Sequence, residues 1–99
     1  MATCVISGTV KTAAGVASAG RVVRIRMLLP PISSGAVAME PKPVETQTGN
    51  DGTFSLTATQ GATARLEIPS CLIDVYGAIP AESTATLETI LASWENWEP

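Results

Sequence analysis

Apolar and polar residues alternate with a period of two along several short stretches of the chain, the spacing expected of strands with one buried face. In a first strand over residues 5–11, Cys4, Ile6 and Val10 share one parity, while Val5, Ser7, Thr9 and Lys11 share the other. Gly8 falls inside it, where a missing side chain marks a bulge or the close approach of another group. Residues 21–29 alternate most clearly: Val23, Ile25, Met27 and Leu29 are assigned to the core, opposite Val22, Arg24, Arg26 and Leu28. Phe54, Leu56 and Ala58 alternate with Thr53, Ser55, Thr57 and Thr59, and Ala62, Ala64, Leu66 and Ile68 with Thr63, Arg65 and Glu67. Ile73, Val75 and Ile79 suggest a last strand ending at Pro80, with Gly77 as a bulge.

Breakers punctuate this pattern. The Ala/Gly/Ser-rich stretch 12–20 reads as a turn with Gly15 and Gly20 available for positive φ. Pro30-Pro31 stops the second strand and opens a long connection to Pro43, in which Ile32, Val37 and Met39 suggest an edge strand or a cover for the open end. Gly49-Asn50-Asp51-Gly52 predicts a β-hairpin between residues 44–48 and 53–59. Near the end the period changes: after Ser83 as an expected N-cap, Leu87, Ile90, Leu91 and Trp94 follow the i, i+3, i+4, i+7 spacing of a helix face. Thr84, Thr86 and Thr89 give that helix poor intrinsic propensity, so packing must hold it.

These elements predict a mainly β fold: an antiparallel sandwich, Ig-like or prealbumin-like, of about seven strands with a short C-terminal helix. With 99 residues there is room for one core. The expected organisation is a sandwich over 1–80 and a helical docking or oligomerisation tail over 81–99.

Composition narrows the function. Apolar residues at 45% and charged ones at 15% suit a folded domain with a Thr/Ser-rich surface. The net charge of −3 and the lack of a basic run give no electrostatic footprint for nucleic acid or an anionic membrane, so neither partner is expected. Arg21, Arg24 and Arg26 form the one basic cluster, read as a solvated sheet face. No secretory signal or membrane-span pattern is present, which reads as a cytosolic product beginning at Met1. Free thiols are expected at Cys4 and Cys71, with a disulfide from the first strand to a late one as the alternative.

The chain contains no histidine, which removes the usual general base, the commonest metal ligand and every Ser-His or Cys-His nucleophile. The nine acidic residues show no convergent spacing. Asn50-Asp51-Gly52 lacks the further oxygen ligands of a calcium loop, and two cysteines alone do not close a zinc site. No catalytic residue, metal or cofactor is assigned. Trp94 and Trp97, on or beside the apolar helix face, are the remaining candidate site residues: tryptophan is enriched at interface hot spots, yet the helix could instead close its own sandwich. Both readings stand at this point.

The stretch Ile6-Ser7-Gly8-Thr9-Val10, then Gly15, an Ala-Gly pair before a strand, and Thr48-Gly49-Asn50-Asp51-Gly52-Thr53-Phe54-Ser55-Leu56 resembles carboxypeptidase regulatory-like domains, with their transthyretin-like (prealbumin-like) sandwich, and their phage-borne relatives. The resemblance covers residues 4–68. It implies a scaffold and carries no catalytic residue. The Pro-flanked insertion after Leu29 departs from the pattern, and no peptidase is attached. Residues 79–91 look like the endings of small sandwich proteins encoded among bacteriophage structural genes.

The reading that follows is a non-enzymatic virion structural protein, such as a capsid decoration, head fibre, neck or tail component, located in the virion after synthesis in the host cytoplasm. Its expected partners are capsid or tail proteins and copies of itself, met through Leu87, Ile90, Leu91, Trp94 and Trp97, with the Pro30 to Pro43 loop as a second surface. The alternative is a carbohydrate or cell-surface binding module for host recognition or adhesion, which four aromatic residues supply only thinly.

Overall fold

A computed structural model describes residues 2–29, apart from the side chain of Leu29, and residues 43–97. The expectations for Ile32, Val37, Met39 and most of the Pro30 to Pro43 loop, and for the Leu29 side chain, lie outside the described residues.

The described residues fold mainly as β-structure in two sheets. Its strands are β1 (Thr3–Thr9), β2 (Val22–Leu29), β3 (Val44–Gln47), β4 (Thr53–Thr59), β5 (Thr63–Ile68), β6 (Ile73–Ala78), β7 (Thr84–Thr86) and β8 (Glu95–Asn96). One short helix, α1 (Leu87–Ser93), lies between the last two, and a 3₁₀ turn (Pro69–Cys71) joins β5 to β6. The smaller sheet has the order β4-β1-β7 and the larger β3-β2-β5-β6-β8, a sandwich-like arrangement.

Alternation decides which residues meet between the sheets. Cys4, Ile6, Phe54, Leu56 and Ala58 from the small sheet, and Val23, Ile25, Ala64, Leu66, Ile68 and Val75 from the large one, are all buried in one cluster. Met27 and Ile73 pack against it half-buried. The opposite parity of β1, β4 and β7 leaves an uncharged outer face of Thr3, Val5, Ser7, Thr9, Thr53, Ser55, Thr57, Thr84 and their neighbours.

Three local expectations are corrected. Residues 44–48 and 53–59 do not form a hairpin. β3 pairs with β2 and β4 with β1, so the Gly49–Gly52 turn carries the chain from one sheet to the other. The turn itself is as tight as its residues suggest: Gly52 N–H donates to the Gly49 carbonyl (2.9 Å), Asp51 Oδ1 accepts from the Thr53 amide (3.1 Å), and Gly52 has φ +78. Val10, the residue after β1, donates its N–H to the Gly52 carbonyl (2.8 Å), which holds the start of β4 beside the end of β1.

Ser83 does not cap the helix. β-Branched Thr84 and Thr86 extend into β7, parallel to β1 from Val5 to Ser7, and the Ser83 carbonyl accepts from Val5 N–H (2.9 Å). The N-cap is Thr86, whose Oγ1 accepts from the Thr89 amide (3.3 Å). Gly77 is no bulge either, since β5 and β6 pair in unbroken register from Thr63↔Ala78 to Ile68↔Ile73. Its missing side chain makes room for Trp94, against which a Cβ would come within 2.6 Å.

Residues 84–96 are thus threaded through the sandwich, β7 extending the small sheet and β8 the large one, with α1 between.

Candidate binding surfaces

The side chains singled out in the C-terminal segment divide into two groups. Ile90 is fully buried and Trp94 only 9% exposed, both within the chain's own core, and the Trp94 indole N–H donates to the Ala78 carbonyl (3.2 Å). Leu87 is half-buried, Leu91 is 38% exposed and Trp97 is half-buried on the large sheet. In α1, Ile90 points into the core and Leu87 lies half-buried beside it, whereas Leu91 and Ala92 are exposed toward the rim.

That rim borders a groove of about 810 Å³ between the start of β4, the end of β1 and α1. Its floor is Gly8 with Phe54, and its helical wall is Leu87, Leu91 and Ala92, with Glu88 at the edge. Gly8 lets the helix and the Phe54 ring close on β1: a Cβ there would lie 2.7 Å from Leu87 Cβ and 2.9 Å from the Phe54 ring. The lining is mainly apolar and open to solvent.

The outer face of the large sheet has the opposite character. Arg24 Nε donates to Glu45 Oε2 (3.0 Å), and Arg65 holds Asp74 bidentately, Nε to Oδ1 at 2.8 Å and Nη2 to Oδ2 at 2.7 Å. Cross-strand register sets these partners: Arg24 faces both Glu45 and Glu67, and Asp74 faces Glu67 while lying diagonal to Arg65. Glu67 Oε1 is buried without a hydrogen bond, yet stands 4.0 Å from Arg26 Nε and 3.9 Å from Arg65 Nε. The guanidinium hydrogen bonds hold the Asp74 carboxyl below the usual carboxylate range.

Beside this network Arg65 lies over the Trp97 ring, 4.4 Å from its centroid, and Tyr76 meets Trp97 edge-on at 5.7 Å. Tyr76 also donates to Glu95 Oε2 (2.7 Å). Tyr76, Trp94 and Trp97, three of the four aromatics, line a polar hollow of about 930 Å³ with Glu95 and Asn96.

Among the described residues, no three of Cys, Asp and Glu come together as a metal-binding group. Both cysteines are free. Cys4 is buried in the core, where burial and then the charge of Glu82 push its thiol pKa up, and Cys71 is exposed. A raised pKa makes a poor nucleophile at neutral pH. No helix among the described residues is long and apolar enough to cross a membrane.

One feature escaped the sequence entirely. Leu72, after the 3₁₀ turn, adopts left-handed backbone (φ 56, ψ 30) and is 94% exposed. A leucine in this region carries a steric cost of about 1–2 kcal/mol, and the exposed side chain gains nothing from its own fold. Pro69 and Ile73 lie next to it, and Lys11 and Arg21 share a small hollow with the neighbouring Ser70 and Cys71. Glycine or asparagine is the ordinary occupant of such a position, so no residue pattern announces a leucine there.

No family model matches the chain, and neither does any curated protein.

Proposed function

We propose that this chain is a non-enzymatic structural protein of a bacteriophage-like virion that works through protein–protein contacts. The observation that carries this reading is the groove between α1 and β4, with Leu91 at its rim: apolar surface that the chain's own fold leaves uncovered. The absence of histidine and the raised pKa of Cys4 favour a binding role over catalysis. The resemblance of residues 4–68 to regulatory-like sandwich domains, and of residues 79–91 to phage structural proteins, supports a scaffold with partners of the capsid or tail kind.

Light scattering over a concentration series tests the contact. The intact chain should exceed its 10.2 kDa monomer mass as concentration rises, and Leu91→Glu should stay folded and monomeric. An intact chain that is monomeric throughout, and that is missing from purified particles although present in the lysate they came from, overturns the reading.

A second reading rests on the polar hollow lined by Tyr76 and Trp97, whose half-buried rings beside Glu95 and Asn96 offer stacking and hydroxyl-bonding groups for a carbohydrate. Quenching or shift of tryptophan fluorescence on addition of oligosaccharides, lost in Trp97→Ala, would support it.

A further inference from the structure

The groove and Leu72 are complementary features of one molecule. The groove is a concave apolar site floored by Gly8 and Phe54 and walled by Leu87, Leu91 and Ala92. Leu72 is a convex apolar side chain held out at 94% exposure by a tight turn. Pro69 blocks continuation of β5, the Leu72 N–H donates to the Pro69 carbonyl (3.1 Å), and the left-handed backbone turns Leu72 away from the core. Strained backbone at a fully exposed apolar side chain is an outlier that points to a function for Leu72 outside its own fold.

Charge favours the same pairing. Lys11 and Arg21 flank the turn through their hollow with Ser70 and Cys71, whereas the groove carries Glu88 at its edge. The acids nearest Leu72, Glu67 and Asp74, are already engaged by Arg24, Arg26 and Arg65. A second copy approaching turn-first therefore brings cationic side chains to an anionic rim.

We propose that the occupant of the groove is Leu72 of a second copy of this chain, flanked by Pro69 and Ile73 of that copy, so that the molecule self-associates through two different surfaces. The proposal rests on the reading of the chain as a structural protein and names its partner and contact. Reciprocal insertion gives a two-fold pair, while one-way insertion propagates into a ring or filament.

The native thiols provide the test, because Cys71 is exposed next to Leu72 and Cys4 is buried. The intact chain, whose accessible thiol is at position 71, is mixed with the Cys71→Ser/Ala92→Cys variant, whose accessible thiol lies on the groove wall. A short bismaleimide then links any pair brought together. The expected product joins Cys71 of one molecule to position 92 of the other, identified by peptide mass spectrometry. Cys71→Ser/Glu88→Cys serves as a second groove label should the first perturb the helix. Introducing Leu72→Asn into the chain that carries Cys71 should lower the yield at least roughly tenfold, the loss of one hot-spot contact. A yield unchanged by Leu72→Asn overturns the proposal. Cross-links confined to pairs of Cys71 thiols, in a chain that still self-associates, overturn it while leaving the structural reading intact. Failure of both cross-linking and self-association, with the chain nevertheless present in purified particles, assigns the groove to another protein.

Discussion

The indole of Trp94 fills the space that a side chain on Gly77 would need, its Cγ and Cδ1 standing 2.6 Å from where that Cβ would be. The relationship fastens the end of α1 to β6 and explains why a tryptophan near the end of the chain is only 9% exposed. Gly77→Ala should therefore destabilise the fold by about 1–3 kcal/mol through overpacking, and Trp94→Ala by about 3–5 kcal/mol through loss of a buried aromatic. In urea denaturation the double variant should cost clearly less than the sum, since removing the ring makes room for the methyl group.

Thr48 is the buried polar side chain of the described core, 5% exposed. Its Oγ1 donates to the Ser18 carbonyl (2.5 Å) and accepts from the Arg21 amide (2.9 Å), tying the turn before β2 to the end of β3. Thr48→Val keeps the shape but leaves both backbone groups without that partner, so a loss of about 1–3 kcal/mol is expected. Thr48→Ser should retain most of the stability, and thermal unfolding of the two variants separates the hydroxyl from the methyl group.

The pair of Arg65 and Asp74 makes stability depend on pH in a defined direction. Asp74 titrates lower when folded than when unfolded, so its contribution is present above the unfolded carboxylate value of about 3.9 and disappears as pH falls through the lower folded value. Asp74→Asn should thus lower the melting temperature at neutral pH and have little effect in strong acid. The shift should be modest because the Asp74 side chain remains 38% exposed. Asp51 is lowered by Thr53 in the same sense, and the comparison of Asp74→Asn with the intact chain at each pH isolates Asp74.

Strand identity was legible from alternation, because a two-residue period fixes which face is buried: Val23, Ile25, Leu56 and Leu66 lie inward as their spacing predicts. Sheet membership was not. Gly49–Gly52 announces a turn, but whether its flanking strands pair with each other or leave for different sheets depends on β1 and β2, far away in sequence. The helix start was misplaced for a similar reason. Ser83 and Thr86 are both acceptable caps, and only the edge of β1 decides that residues 84–86 are strand. For the site, Leu87 and Leu91 of the groove could be named from the helical spacing, but Gly8 and Phe54 join them only through the β1–β4 register.

Leu72 gives a prediction with opposite signs for stability and association. Asparagine tolerates left-handed backbone, so Leu72→Asn should leave the monomer as stable or up to about 1 kcal/mol more stable while weakening self-association. Denaturant midpoints at low protein concentration read the first effect and light scattering the second. A leucine that served the chain's own core would instead lower the midpoint when replaced.

The most direct test of the central claim is dilution of ¹⁵N-labelled protein followed by amide chemical shifts. Shifts that change with concentration should cluster at Gly8, Phe54 and residues 87–92 on one side and at residues 70–73 on the other, marking groove and turn as the two halves of one contact. Spectra that do not change with concentration, or changes confined to the charged outer face around Arg24, Arg26 and Glu67, would contradict it.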